Sequence, residues 1–485
     1  MNKLTEIETC DLCIIGAGMA GLNALFAANK YLTKSDKVIL VDKKPSYGGM
    51  WKDTYDYVRL HQPHPNFTAG NIKWKLKKRK VHLASKLEIL SYFNDCIKEL
   101  KQNISLIEYF KYEYVNSKEV LIDGKYEVHL TFKSSHSKLP NLLIKAKKCI
   151  KSFGFNIPNI APLKFSSINV KSISPNQFEF LGPEMQQSTK PVYIIGGGKT
   201  GMDTAYQLIK KFPGKKIHMI TGKGNIFMDR EKIFATGLNR FLGRIPFTKL
   251  MTDISMRYNG NNEKEVCEYF KVKYGLQLDT SCENFMLGII SKKEKNIISN
   301  GIHEHEMDYL EDIVDQGHEI RMILRSGRSK IIEKESWIIN CSGHLFREKS
   351  KYEPHLSENN TTISIKPSCG ILSFSTLSAY FLTHLWFRNE LKSLPLYELN
   401  QEKLLQQNKK GFPYIMLVQM LHNMILIANK LPSKVMMECD LLPDKWFPFH
   451  VQTFRILKMK YNERKYLKHT KAILDNEFNY SPKKG

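Results

Sequence analysis

Acidic side chains are scarce in this sequence: 48 aspartates and glutamates stand against 73 lysines and arginines, a formal charge of +25. An imbalance of that size points to anionic partners, whether nucleic acid, an anionic membrane surface or anionic cofactors. The lysines are spread throughout, however, and no nucleic-acid-binding module is visible, so nucleic acid is set aside. The densest cluster, Lys73-Trp74-Lys75-Leu76-Lys77-Lys78-Arg79-Lys80, reads as a solvated basic segment. Ordered cysteine spacing is also missing. The nine cysteines are odd in number and dispersed, which argues for reduced thiols. Cys10 and Cys13 make a Cys-x-x-Cys, but no second pair completes a zinc site and a strand runs through it. No metal is expected.

Residues 1–10 lack the basic, apolar and small-residue regions of a signal peptide, so a cytosolic protein is expected. A clean run of about 20 apolar residues is absent as well. The nearest approach, residues 414–431, is interrupted by Gln419, His422, Asn423, Asn429 and Lys430. At about 100° per residue these share roughly one third of a helical wheel. The expectation is a mostly buried helix with one wet stripe, and a membrane surface is the less favoured partner. At 485 residues, 42% of them hydrophobic, the chain is long enough for two or three globular domains.

What is present is a repeated strand–glycine–helix grammar. Residues 11–15 read as a buried strand, followed by Gly16-Ala17-Gly18-Met19-Ala20-Gly21 and a helix over residues 19–31 with small residues on its packing face. A second strand over 37–41 ends in Asp42-Lys43. Gly16 permits the tight turn, Gly18 lets a pyrophosphate approach the backbone, and Gly21 lets the helix pack on the sheet. The helix N-terminus offers free N–H donors to phosphate. Asp42 suits ribose hydroxyls and disfavours a 2′-phosphate, which selects FAD or NAD over NADP at this site.

The same grammar returns about 180 residues later. Residues 191–195 form a strand, Gly196-Gly197-Gly198-Lys199-Thr200-Gly201 is a second Gly-x-Gly-x-x-Gly, a helix follows over 202–212 and a strand over 216–221. Here no acidic residue follows the second strand. Thr221-Gly222-Lys223-Gly224 stands there instead, with Arg230 further on, and a cation at that point neutralises the 2′-phosphate of NADP. NADPH is the expected ligand.

Gly48-Gly49-Met50-Trp51 resembles the Gly-Gly-x-Trp segment of the flavin-containing and Baeyer–Villiger monooxygenases, the class B flavoprotein monooxygenases with two dinucleotide-binding domains. Two strand ends, Ser152-Phe153-Gly154 (with Pro158 and Pro162 after it) and residues 337–344 through Ser342-Gly343-His344, are similar to that family's Ala-Thr-Gly positions. The resemblance covers roughly residues 8–390. It implies an α/β fold of two Rossmann-like domains, an FAD domain interrupted by an NAD(P) domain, with a C-terminal helical extension. The expected boundaries are 8–165 (FAD, first part), 166–335 (NADPH, with an insertion at about 230–310), 336–400 (FAD, return) and 401–485 (helical extension). It implies FAD at the first site, near Gly49, Met50 and Trp51, and NADPH at the second.

Two departures accompany the resemblance. The Phe-x-Gly-x-x-x-His motif of the family is absent from its place at residues 168–177, and its 2′-phosphate-binding arginine is Gly222 here, so Lys223 stands in. The asparagine that steadies the family's flavin hydroperoxide is replaced by His61 or Gln62, each a hydrogen-bond donor; a structural cap is the other reading of His61. Arg59 is a further catalytic candidate. The implied activity is hydride transfer from NADPH to FAD, then a flavin C4a-(hydro)peroxide that oxygenates a small organic substrate with O₂. The alternatives are an NAD(P)H-dependent flavoprotein reductase without oxygenation and a non-catalytic flavin-binding regulatory protein.

Overall fold

Residues 12–15 and 38–41 are unbroken apolar runs, the pattern of strands covered on both faces. Both pair in parallel inside a mixed sheet in the computed structural model, which describes residues 5–136, 139–154, 160–241, 245–343 and 352–478. Pro158 and His344 fall outside them. The sheet runs in the order Ser105–Phe110, Lys37–Asp42, Thr5–Ile15, Asn141–Lys151, Lys125–Ser134, Tyr112–Ile122. Thr362–Ser364 joins it far from its sequence neighbours, pairing in parallel with Cys149, Ile150 and Lys151. The first strand begins earlier than the apolar run alone predicts, because its solvent-exposed start at Thr5 is held by Asn141 of the neighbouring strand.

A second sheet of five strands is parallel throughout, in the order Glu304–Glu306, Ile217–Ile220, Val192–Ile195, Trp337–Asn340, Lys171–Ile173. A three-stranded antiparallel sheet, Leu310–Gln316, Glu319–Leu324 and Ser329–Ile332, packs on it around Ile313, Met322 and Ile338. The fold is thus α/β with two Rossmann-like sheets, as the motifs imply, the second all-parallel and the first parallel at its core with an antiparallel flank of Lys125–Ser134 and Tyr112–Ile122.

The segments that the motifs do not explain fold together. Helices Phe247–Arg257 and Glu463–Phe478 both pack on the long helix Phe412–Lys430, and all three share one hydrophobic core with the first sheet. Polar bonds stitch the same contact: the Trp446 indole N–H donates to the Ala235 carbonyl at 2.7 Å, and Arg455 donates to Thr248 and Thr252 at 3.1 and 3.2 Å.

Phe412–Lys430 corrects one expectation. By length and composition it is the one helix among the described residues long and apolar enough to cross a membrane, yet most of it is buried inside the protein. Its predicted wet stripe is dry where it matters. Gln419 donates to the carbonyls of Gly370 and Tyr397 at 2.7 and 2.8 Å, and Asn423 to those of Ile371 and Tyr397 at 2.7 and 2.8 Å. The Tyr397 N–H donates back to Asn423, and His422 bonds Thr470 at 2.8 Å. The stripe satisfies backbone groups that burial would otherwise leave unpaired. Asn423→Leu should therefore lower stability by about 3 kcal/mol, because several buried groups lose their partner. Asn429→Ala, at the exposed end of the same stripe, should cost less than about 1 kcal/mol. Urea-induced unfolding midpoints of the two variants test the contrast.

Candidate functional site

Each glycine loop is shaped by a strand end that arrives from later in the chain. At Gly16, φ is 107°, and a Cβ there would lie 2.5 Å from the Ser152 carbonyl oxygen; at Gly196, φ is 118°, and a Cβ would lie 2.6 Å from that of Cys341. A Cβ on Gly21 would sit 1.9 Å from the Gly16 oxygen, and one on Gly201 2.0 Å from the Gly196 oxygen. The backbone bonds repeat too. Gly16 N donates to Val41 O at 2.8 Å and Gly196 N to Ile220 O at 2.8 Å; Ser152 N donates to Ile15 O at 2.8 Å and Cys341 N to Ile195 O at 2.7 Å. No side chain fits at these four positions, so they are glycine by necessity.

Both loops end at a helix whose N-cap is glycine with no side-chain cap: Gly18 for Met19–Ala28 and Gly198 for Lys199–Lys211. Uncapped N–H groups with a positive helix end are the cradle that a pyrophosphate needs. A Cβ on Gly198 would meet nothing within 4 Å, so the space in front of this loop is free of protein. Gly18 instead faces the Gly48-Gly49 turn, where a Cβ on Gly49 would lie 2.7 Å from Gly18 Cα. The Asp42 carboxylate, buried at the end of its strand, accepts from Ala17 N at 2.5 Å and Lys44 N at 2.7 Å. Burial raises its pKa, partly offset by these two bonds. Lys43 points to solvent, whereas Lys44, which the motifs do not single out, donates to the Gly49 carbonyl at 2.9 Å and pairs with Asp53. Met50 and Trp51 are half-buried, the indole packing edge-on to Phe67 with centroids 5.7 Å apart.

Residues 53–61 carry the first unit onto the second. Tyr55 donates to Asp203 at 2.9 Å and the Tyr57 hydroxyl bonds Thr204 at 2.7 Å, both on the second nucleotide helix. Lys199 pairs with the same Asp203. Asn176 donates to the Asp53 carbonyl at 2.6 Å. Apart from the Lys199–Asp203 pair within one helix, none of these contacts is legible locally, since each partner lies more than a hundred residues away.

Of the catalytic candidates, His61 lies close enough to the second loop to feel the charge of Lys199. It is half-buried, and burial, then the charges of Lys199 and Arg230, drive its pKa well below the usual histidine range, so the imidazole is neutral. Gln62 is half-buried beside it. Arg59 is exposed and donates to the Leu83 carbonyl at 3.2 Å, apart from both loops. Ser342 and Gly343 are exposed at the strand end, where the Asn340 carboxamide oxygen accepts from Ser342 N at 3.1 Å and its hydroxyl at 2.5 Å.

The cations after the second strand divide differently from their order in sequence. Arg230 is turned inward: its Nη1 donates to Glu294 at 2.5 Å, a half-buried pair, and its Nε donates to the His61 carbonyl at 2.6 Å, which joins the two units. It is a structural cation and does not reach the end of the Ile217–Ile220 strand. Lys223 is there, exposed, with Glu283 at 3.5 Å. Gly222 has φ 60°, and a Cβ on it would lie 2.5 Å from the Tyr309 ring, which explains why an arginine is not found at that position. The Arg325 guanidinium, which follows the Glu319–Leu324 strand of the antiparallel sheet, lies over the same Tyr309 ring at 4.7 Å from its centroid. Its position could not be foreseen from the motif.

Residues 10–243 match the family model described as pyridine nucleotide-disulphide oxidoreductase. The match agrees with the flavoprotein monooxygenase resemblance carried by the glycine motifs. The Mycobacterium tuberculosis protein Rv2000 is 26% identical over 216 residues, 42% of this chain and 36% of that protein. The Bacillus subtilis oxidoreductase CzcO is 27% identical over 204 residues, 41% of this chain and 52% of that one. The matches thus span about a third to a half of these relatives. Among solved structures, ornithine hydroxylase (PvdA) from Pseudomonas aeruginosa aligns with TM-score 0.49 at 12% identity, covering 79% of this chain and 99% of that one. An open form of cyclohexanone monooxygenase aligns with TM-score 0.49 at 11% identity, covering 80% and 88%.

Two outcomes follow from the loop geometry. Gly196→Ala should destabilise the protein by about 2 kcal/mol or more, since φ and the Cys341 carbonyl both oppose a Cβ. Gly198→Ala should leave the thermal midpoint unchanged and weaken binding of a nicotinamide dinucleotide about tenfold or more, read by fluorescence titration. A second test concerns the interlock: burial raises the Glu294 pKa, but Arg230 and Lys199 outweigh it and bring it down to about 2. With the folded value below the ordinary one near 4.5, the stability it contributes is full above that pH and is lost as pH falls toward 2. Glu294→Gln should flatten the acid limb of the stability profile.

Proposed function

We propose that this chain is an FAD-dependent, NADPH-using monooxygenase-like oxidoreductase that oxygenates a small organic substrate with O₂. The carrying observation is the duplication of one uncapped glycine loop, with residues 53–61 of the first unit docked on the helix of the second. Two dinucleotide cradles linked in this way suit transfer between a bound flavin and a bound nicotinamide. FAD belongs to the first cradle, built from residues 8–165 and 336–400, and NADPH to the second, within 166–335.

When bound, the flavin supplies the acceptor for a hydride from NADPH and the route of its electrons to O₂. The chain supplies the rest. Gly16, Gly18, Met19, Ala20 and Gly21 present helix N–H groups to the FAD pyrophosphate, and Asp42 receives the ribose hydroxyls in place of its present loop bonds. Gly196, Gly198, Lys199, Thr200 and Gly201 do the same for NADPH. Lys223 and Arg325 face the 2′-phosphate. His61, neutral and therefore a donor through one ring nitrogen only, sits where the two cradles meet and supports an oxygen atom by hydrogen bonding, with Gln62 beside it. Arg59 has no part in this reading.

A disulfide-reducing version has little support. All nine cysteines are buried, and burial pushes Cys10, Cys341 and Cys369 up to about 12, far from the thiolate form such chemistry needs.

Anaerobic reduction of the FAD-loaded protein by NADPH, followed by mixing with O₂ in a stopped-flow spectrometer, tests the proposal. A resolved, long-lived oxygenated species before the oxidised spectrum returns is expected. Direct return with stoichiometric peroxide would make it a reductase, and failure of NADPH to reduce it would make it non-catalytic. Lys223→Ala with Arg325→Ala should lower the preference for NADPH over NADH roughly tenfold while leaving NADH kinetics intact.

A further inference from the structure

Helix Phe449–Tyr461 wears its hydrophobic residues on the outside. Its inward face carries Val451 and Arg455, the latter bonded to Thr248 and Thr252. Phe449, Phe454, Ile456, Leu457 and Tyr461 are between 57% and 90% exposed. At about 100° per residue these five fall in a single arc of roughly 160°, opposite the packed face. The adjoining turn Gly237–Arg240, tied to the Trp446 carbonyl through Arg240, adds Leu238 at 77% exposure.

The charge around this face has one sign. The helix contains no acidic residue, and Lys458 and Lys460 lie exposed along the apolar arc. Arg464, Lys465 and Lys468 are exposed just beyond the turn at Asn462. None of these five cations forms an ion pair among the described residues. The acidic neighbours are already engaged: Asp440 pairs with Lys73, Glu438 with Lys30, Asp444 is bonded by Thr248, and Glu463 accepts from Asn429.

We propose that this face docks on an anionic lipid bilayer, with Phe449, Phe454, Leu457 and Tyr461 entering the interface and the lysines meeting lipid headgroups. Large apolar side chains beside unpaired cations are the composition of an interfacial helix. A second copy of the chain is disfavoured by charge, because a symmetric contact would set two such basic faces together on molecules of +25 each.

Flotation of the full-length FAD-loaded protein with vesicles tests this independently of the reaction. The protein should float with phosphatidylcholine vesicles containing phosphatidylserine, lose that binding in high salt, and stay behind with phosphatidylcholine alone. Two double variants, Phe454→Ser with Leu457→Ser and Lys458→Gln with Lys460→Gln, should each weaken flotation about tenfold or more. Flavin content and circular dichroism should match the unaltered chain, since all four positions are exposed. Absence of flotation, or flotation undiminished in both variants, would overturn the proposal. So would a concentration-dependent rise in mass that the same variants abolish, which would assign the face to a second copy, or retention on an acidic protein without lipid binding.

Discussion

Everything at the candidate site depends on the close approach of backbone to backbone at the two glycine loops. The Ser152 and Cys341 carbonyls occupy the space that a side chain would take on Gly16 and Gly196. The strands that end there come from far along the chain, so each loop is held from outside and not by its own sequence alone. The consequence is a helix whose first N–H groups have no side chain to cap them. Ordinary helices use a serine, threonine or aspartate at that position to satisfy those donors. Leaving them bare costs local stability and keeps an anion site free, a cost offset by the sheet that each loop joins.

Holding two such cradles in a fixed relation is a separate problem, and the chain solves it with buried polar contacts. Tyr55, Tyr57 and the His61 carbonyl reach from one unit to Asp203, Thr204 and Arg230 in the other. Arg230 and Glu294 are both largely withdrawn from water. A buried pair of this kind adds little net stability over an apolar contact, but breaking it strands a charge, so it favours one docking geometry over its neighbours. Burial at this junction is also what chiefly lowers the His61 pKa, and the cations Lys199 and Arg230 add to it by opposing a proton on the ring.

The features legible in the sequence are those whose meaning is local. A glycine triplet between an apolar strand and a small-residue helix specifies its own turn, and the predicted strands and helices differ from the observed ones by a few residues at their ends. Arg230 was less readable, because its distance from the strand end along the chain says nothing about which way the side chain turns. Arg325 was invisible for the opposite reason: it reaches Tyr309 only through strand pairing far from the motif. The polar stripe of Phe412–Lys430 shows a third limit. Gln419 and Asn423 obey the period of a solvent-facing stripe, yet the same period serves a row of buried amides that meet loop carbonyls, and periodicity reports a shared face without naming what covers it.

That limit bears directly on where the chain meets its surroundings. By composition, Phe412–Lys430 is the helix suited to lipid, and most of it is enclosed by protein. Phe449–Tyr461 is far more polar on average, because three cations dilute its apolar residues, yet its aromatic and aliphatic side chains face outward. Mean hydropathy cannot separate these cases, since burial depends on which other segments cover a face. The Phe247–Arg257 and Glu463–Phe478 helices cover the first of them. Arg455, turned inward to Thr248 and Thr252, fixes the rotation of the second and so decides which of its sides is left bare. The basic excess of the chain then has a direction at this face: the unpaired lysines flank an apolar arc, an arrangement that solubility alone does not require and that an anionic interface would complete.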